Sequence, residues 1–390
     1  MIILDEKGWM CMKKPERIFV IGHKNPDTDS ICSAIAYADI KNRTTQNKKY
    51  IPKRAGQINE ETRYVLNRFG VQPPAYLGNI GTQVKDMDIR TSPQADKNMS
   101  LKNTWDLMQE NGIVSLPIRD KDGCLEGLVT IGDIAKTYMD TTDSYLLSNA
   151  RTQYQRIAET IGGKVVEGNG HGYFVQGKIM VATANPDKMK EYVEENDMII
   201  MGNREEDHLQ AIEQNVSCII VGMGIEVTEK VLKLAHEKDI VIISSPYDTF
   251  TISRLINQSI PVKHFMTPKD QLCKFYIDDY IDDIREVITK RTFREFPILN
   301  KQGKLQGFVS RRRVMNVSKK QVILVDHNER SQAVDGLEEA EIMEIIDHHR
   351  LGNIETAGPV YFRNQPVGCT ATIVYQMYQE HGVEITPQYA

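Results

Sequence analysis

The sequence predicts an α/β protein, a doubly wound parallel sheet whose chain is interrupted by a long folded insertion. Three observations carry this. Apolar runs that end in acids or imidazoles occur at "RIFVIG" (17–22), "QVILV" (321–325) and "EIMEII" (341–346). The first run leads into a helical pattern. Within the long interval before the second run, one 20-residue pattern occurs twice.

Taken in order, residues 17 to 22 have the short apolar character of a buried parallel strand. "DSICSAIAYADIKN" then sets Ile31, Ala34, Ile35 and Ala38 at helical spacing, with Ser30 or Asp29 as the expected cap. In doubly wound sheets ligands gather beyond the carboxyl ends of the strands, and the polar stretch "HKNPDTDS" falls there. Asp29 and Asp326 lie 297 positions apart, too far for a loop within one compact domain, so folded material must intervene.

That material contains the repeat. "SLPIRDKDGCLEGLVTIGDI" (115–134) and "EFPILNKQGKLQGFVSRRRV" (295–314) match at Pro117, Gly123 and Gly127 against Pro297, Gly303 and Gly307. Each copy reads as strand, glycine turn, strand and helix, preceded by a helix such as "LKNTWDLMQENG" or "IDDIREVITKR". One copy alone would expose its apolar face, so the two are expected to pack together. Between them, "SCIIVGMGIEVTEKVLKLAHEKDIVIISSPYDTF" alternates apolar strands with a helix on which Val231, Leu232 and Ala235 share a face. This segment carries no clustered catalytic residues. Expected domain bounds are 15–80, 81–145, 150–258, 259–318 and 319–390, the first and last forming one interrupted domain.

Composition narrows the function classes. A chain of 390 residues exceeds the size of one undivided core. With 48 basic and 53 acidic side chains its formal charge is -5, which calls for neither a nucleic-acid nor a membrane partner. The densest basic run, Arg311 to Arg313, suits surface or anion contact. Cysteines at 11, 32, 124, 218, 273 and 369 have no C-x-x-C spacing, which argues against a disulfide framework or zinc site and for a reducing cytoplasm. The first fifteen residues carry Asp5, Glu6, Lys7, Lys13 and Lys14 without a leader's apolar core, and no stretch approaches the roughly 18 apolar residues of a membrane span.

The chemistry lies in H-x3-D-x-D at His23, Asp27 and Asp29, taken with Asp326 and His348. Mixed imidazole and carboxylate donors suit Mn²⁺ or Co²⁺, whereas an all-oxygen cage would favour Mg²⁺ or Ca²⁺. Three acids and two imidazoles suit two cations better than one. Cations about 3.5 to 4 Å apart can share a water and clamp an in-line phosphoryl displacement. Any one of these motifs alone fits loop chemistry or a helix cap; three strand ends together favour metal.

"GHKNPDTDS", "VDHNE" and "IDHHRLGN", followed by "VGCTATIVYQMY", resemble the amino-terminal DHH domain of family II inorganic pyrophosphatases, over roughly residues 15–80 and 320–390. The resemblance implies hydrolysis of diphosphate to two phosphates, with two Mn²⁺ or Co²⁺ per site and Mg²⁺ accompanying the substrate. It implies His23 and Asp27 on one metal, Asp29 and His348 on the other, and Asp326 bridging. His349 would face the substrate as a hydrogen-bond donor, with Asp347 and Asn328 supporting the ligands. The implied nucleophile is metal-bound hydroxide, which leaves the cysteines, Cys369 included, to packing.

The repeat resembles a pair of CBS domains, and the segment between resembles the DRTGG domain of regulated members, so the insertion reads CBS–DRTGG–CBS. This implies control by adenine nucleotides, AMP and ADP inhibiting and ATP or diadenosine polyphosphates activating, and a homodimer joined through the CBS domains. "GLVTIGDI" nominates Thr130 and Asp133 for phosphate and ribose. In the second copy Ser310 remains, but Arg313 replaces the acid and would meet a phosphate instead; Arg294 is a further phosphate candidate. Family members continue past "GVEITPQY" into a helix with another metal-bridging aspartate and a basic substrate-binding domain, so weak or no turnover is expected of these 390 residues alone. Two rivals stay open: a DHH phosphodiesterase acting on oligonucleotides or cyclic dinucleotides, and a non-catalytic nucleotide sensor.

Overall fold

The computed structural model describes residues 2–4, 10–12, 16–139, 143–182 and 186–389. Asp5, Glu6, Lys7, Lys13 and Lys14, which bear on the question of a leader, lie outside them. The chain divides into two compact units: Met1–Asp88 with Ile277–Arg294 and Ser310–Ala390, and Ile89–Tyr276 with Glu295–Val309.

The first unit is built on six strands. They are β1 (Glu16–Ile21), β2 (Lys48–Arg54), β3 (Ala75–Tyr76), β4 (Lys320–Val325), β5 (Ala340–Asp347) and β6 (Tyr361–Asn364). Their order is β6-β5-β4-β1-β2-β3, and every pairing is parallel. The chain winds one way from β1 and the other way from β4, so the order reverses where these strands meet. Open parallel sheets form their ligand crevice at such a point, beyond the strands' carboxyl ends.

One face is covered by α1 (Thr28–Thr44) and α3 (Thr370–Glu380), whose Ala34, Tyr37, Ile373 and Met377 pack with Ile18, Val20, Ile323 and Val325. On the other face Ile21, Val322, Leu324 and Ile345 meet Ile80, Ala333, Val334 and Leu337 from turns and loops. A short helix, α2 (Glu60–Arg68), adds Leu66 against Ile31 and Ile35 of α1. Burial on both faces explains why these strands read as continuous apolar runs.

In the second unit the first repeat copy supplies strands Ser115–Arg119 and Leu125–Thr130, and the second supplies Glu295–Leu299 and Leu305–Ser310 as far as Val309. They pack as expected, through Leu125, Leu128, Leu299, Leu305 and Phe308. The matched glycines have distinct tasks. Gly123 and Gly303 turn their hairpins at φ 82° and 78°, where only glycine is unstrained. Gly127 and Gly307 instead admit backbone: a Cβ would sit 2.8 Å from the Thr267 carbonyl oxygen at the first and 2.4 Å from that of Arg90 at the second. Each copy's lead-in segment crosses to the other's sheet, Thr267 pairing with Leu128 and Arg90 with Phe308. The intervening segment forms a five-stranded sheet in which Met198–Met201, Cys218–Val221 and Val241–Ser244 are parallel neighbours, and helix Glu229–Glu237 buries Val231 and Ala235. Among the described residues no helix is long and apolar enough to cross a membrane.

Candidate metal centre

The three polar strand ends meet at the sheet's reversal point. β1 is followed by Gly22 and His23, β4 by Asp326, and β5 ends in Asp347 before His348. At Asp326 the backbone turns left-handed (φ 63°) while its N–H donates to the Ile346 carbonyl at 2.9 Å. This conformation is uncommon outside glycine, although aspartate adopts it more readily than most residues. It turns a 1% exposed carboxylate toward two imidazoles. His23 Nε2 lies 3.4 Å from Oδ2, and His348 Nε2 lies 3.5 Å from Oδ1.

The other acids complete two clusters. Asp27 Oδ1 is 3.8 Å from His23 Nε2, and Asp29 Oδ2 is 3.9 Å from His348 Nε2. Asp27, rather than the expected Ser30 or Asp29, caps α1 by accepting from the Ser30 N–H at 2.9 Å. Asp29 lies one residue inside the helix, and its carboxylate is engaged elsewhere. Its oxygens accept from the Thr370 N–H at 2.7 Å, the Ala371 N–H at 2.8 Å and the Ser33 hydroxyl at 3.0 Å.

Outer contacts fix the imidazoles. His348 directs Nδ1 to the Val367 carbonyl at 3.0 Å, leaving Nε2 facing the carboxylates with a lone pair to offer. Asp347, wholly buried, accepts from His349 Nδ1 at 2.8 Å and the His348 N–H at 2.8 Å, while its other oxygen accepts from Asn328. Asp347 and Asn328, nominated as supports, bond to each other, and Asp347 also bonds to the segment that carries His348 and His349. In front of His23 and His349 a cavity of about 370 Å³ opens between Lys24, Asn25, Ser331 and Gln332.

The donor set fits a cation. Asp326 Oδ2 is buried and lacks a hydrogen-bond partner among the described residues, which is costly for an ionised oxygen without a counter-charge. Two groups, His23 with Asp27 and Asp326, and Asp326 with His348 and His349, each bring three potential ligand atoms within 4.8 Å of one another. Burial, and behind it the charge of Asp29, pushes the Asp326 carboxyl up against the pull of its hydrogen bonds. Burial opposes protonation of His23, but the facing Asp326 carboxylate, aided by Asp27 and Asp29, outweighs it and raises its pKa. Both shifts describe a site short of positive charge.

Sequence reasoning missed Thr370 and His327. Thr370 donates its hydroxyl to Asp326 Oδ1 at 2.9 Å, and its only sequence signal is the "GCT" start of an apolar-patterned helix. His327 directs Nδ1 to the Val325 carbonyl at 2.9 Å, and its ring stands edge-on to that of His23, the centroids 6.5 Å apart.

The residues nominated for nucleotide fall into two groups. In the second unit, Asp133 Oδ2 accepts from both the N–H and the hydroxyl of Thr130 at 2.8 Å. In the first unit, Ser310 accepts from the Arg313 N–H, and the Arg294 carbonyl accepts from the Arg311 N–H. Arg313 pairs with Asp88 at 2.9 Å, so its charge is already partnered.

Residues 17–390 match the model of the DHH family, N-terminal domain. A cobalt-dependent inorganic pyrophosphatase of Clostridium perfringens is 39% identical over 366 residues, 94% of this chain and 66% of the relative. A probable manganese-dependent inorganic pyrophosphatase of Thermotoga maritima is 34% identical over 379 residues, 97% of this chain and 69% of the relative. The chain thus spans about two thirds of the length of these relatives. A crystal structure of the CBS and DRTGG domains of the C. perfringens pyrophosphatase regulatory region, complexed with its activator diadenosine tetraphosphate, aligns over 59% of this chain and all of that one, with 30% identity and a TM-score of 0.56. The chain belongs to the DHH family, and within it to the inorganic pyrophosphatases that carry a CBS and DRTGG regulatory region.

Proposed function

We propose that this chain forms the catalytic DHH domain and regulatory insertion of a cytoplasmic, homodimeric diphosphatase, dependent on Mn²⁺ or Co²⁺ and controlled by adenine nucleotides. The observation that carries it is the convergence on Asp326 of His23, Asp27, Asp29 and His348, with a separate carboxylate oxygen nearest each imidazole. His23 and Asp27 would hold one cation, Asp29 and His348 the second, and Asp326 would contact both. When bound, such a pair neutralises phosphate oxygens and lowers the pKa of water, with Mg²⁺ accompanying the substrate.

The protein's own groups bind and orient. His349, steadied by Asp347 through Nδ1, lines the cavity and would contact a diphosphate oxygen there. Lys24 adds a cation at the same opening, its N–H held by the Gln332 carbonyl at 2.7 Å. Neither Cys218 nor Cys369 is poised as a nucleophile: burial pushes the Cys218 thiol up, and Cys369 bonds to the Thr372 hydroxyl. Thr130 and Asp133, with Arg294, Ser310 and Arg313, would serve the nucleotides; the diadenosine tetraphosphate complex of the C. perfringens region supports that class of ligand.

Calorimetry with Mn²⁺ tests the centre: two ions per chain are expected, and Asp326→Ala should abolish the pair. Phosphate release with Mn²⁺ then ranks substrates. Diphosphate should exceed cyclic or short linear oligonucleotides whatever the absolute rate; the opposite ranking would establish a phosphodiesterase, and AMP binding without Mn²⁺ binding a nucleotide sensor.

A further inference from the structure

We propose that Thr370 is a positioning residue for the two-cation centre: through its side chain and the first backbone amides of α3, one buried threonine fixes the carboxylates of both Asp326 and Asp29. The inference rests on the two-cation reading above.

Thr370 is 0% exposed and touches both acids. Its hydroxyl reaches Asp326 Oδ1 at 2.9 Å, and its N–H reaches Asp29 Oδ2 at 2.7 Å. The Ala371 N–H holds the other Asp29 oxygen at 2.8 Å. Both bonds from the helix terminus to Asp29 join an acid to partners more than 340 positions away in sequence. Helix α3 can hold them because it is itself anchored. Ile373, Val374, Met377 and Tyr378 are buried, and the Tyr378 hydroxyl bonds to the Ala36 carbonyl at 2.9 Å and Asp39 at 2.8 Å on α1. The helix carrying Asp29 is thus tied to the helix that orients it.

The consequence for Asp326 is directional. A carboxylate on a left-handed residue at a strand end has no adjacent turn of helix to restrict its rotation. The Thr370 hydroxyl bonds to Oδ1, which leaves Oδ2 toward His23, so each imidazole keeps its own oxygen. Threonine suits the task, since its β-methyl restricts χ1 and keeps the hydroxyl aimed. Carboxylates that accept such bonds are held for their cations, and loss of supports of this kind typically costs 10- to 100-fold in metal affinity.

The test compares wild type with Thr370→Val, which keeps the shape and removes the hydroxyl, and Thr370→Ser, which keeps the hydroxyl. Mn²⁺ alone is the probe, followed by calorimetry and by electron paramagnetic resonance for coupling between paired ions. Thr370→Val should bind Mn²⁺ roughly 10- to 100-fold more weakly and lose the coupled signal, while Thr370→Ser stays within about threefold of wild type. Melting in EDTA reports stability separately, and Thr370→Val should melt lower because Asp326 Oδ1 loses its donor; the coupled Mn²⁺ signal and its recovery in Thr370→Ser are what a merely structural role would not move. Val within about threefold of wild type, or Ser falling as far as Val, would overturn the assignment. Wild type binding no Mn²⁺ would instead remove the two-cation reading itself and this inference with it. Should the valine variant not fold, Thr370→Ala replaces it under the same criteria.

Discussion

Acid should loosen the central sheet through one buried histidine. His327 is 1% exposed, its Nδ1 bonds to the Val325 carbonyl at 2.9 Å, and its Nε2 has no hydrogen-bond partner among the described residues. Burial above all lowers its pKa from 6.5 to about 4. In the folded chain the ring stays neutral between these values, whereas the unfolded chain protonates it, so stability is whole above about pH 6.5 and falls as the pH drops toward 4. Each pH unit in that window costs about 1.4 kcal/mol, which comes to about 2 kcal/mol by pH 5. Hydrogen exchange of β4 and β5 amides in EDTA, corrected for the intrinsic pH dependence, reads this loss locally. His327→Gln supplies the comparison, because its amide can still donate to Val325 but has nothing to titrate. Between pH 7 and 5, wild-type protection should fall about 30-fold further than the variant's, the rate equivalent of about 2 kcal/mol. Parallel profiles would refute the reasoning by showing that the ring is not held neutral by its burial.

Three further outcomes are expected. Gly22→Ala would bring a Cβ to 1.9 Å from the Ser30 hydroxyl, which accepts from the His23 N–H, so it should destabilise the first unit by about 1 to 3 kcal/mol in urea titration and weaken Mn²⁺ binding. Asn328→Ala leaves Asp347 and the Gly352 N–H short of a partner in a buried setting; a cost of about 1 to 3 kcal/mol and about tenfold weaker Mn²⁺ binding should appear by denaturation and calorimetry. Asp133→Ala removes the acceptor for Thr130 at the start of helix Ile131–Met139, costing about 1 kcal/mol; AMP affinity should also fall, and unchanged affinity by calorimetry would dissociate this pair from nucleotide binding.

The sheet and the cluster were legible because buried parallel strands are apolar along their whole length and their ends face the crevice, so His23, Asp326 and His348 each stand just past such a run. The repeat was legible because both copies need glycine at the same turn and at the same backbone crossing. What stayed hidden depends on tertiary contact. Asp27, Asp29 and Ser30 are equally good caps by composition, and only α3, more than 340 positions on, claims Asp29 and leaves the cap to Asp27. The pairing of Arg313 with Asp88, 225 positions apart, is likewise invisible to spacing, and so is the hydroxyl of Thr370 on Asp326.

The central place of β1 has a consequence for biosynthesis. Its Ile18 pairs with Gln321, 303 positions later. At about 5 to 20 residues per second, a ribosome needs roughly 15 to 60 s to produce that partner. Throughout this time β1, β2 and α1 have emerged, yet one edge of β1 still presents the unpaired backbone that the second part of the sheet will meet. The nascent chain must wait with an open seam while the whole insertion is made.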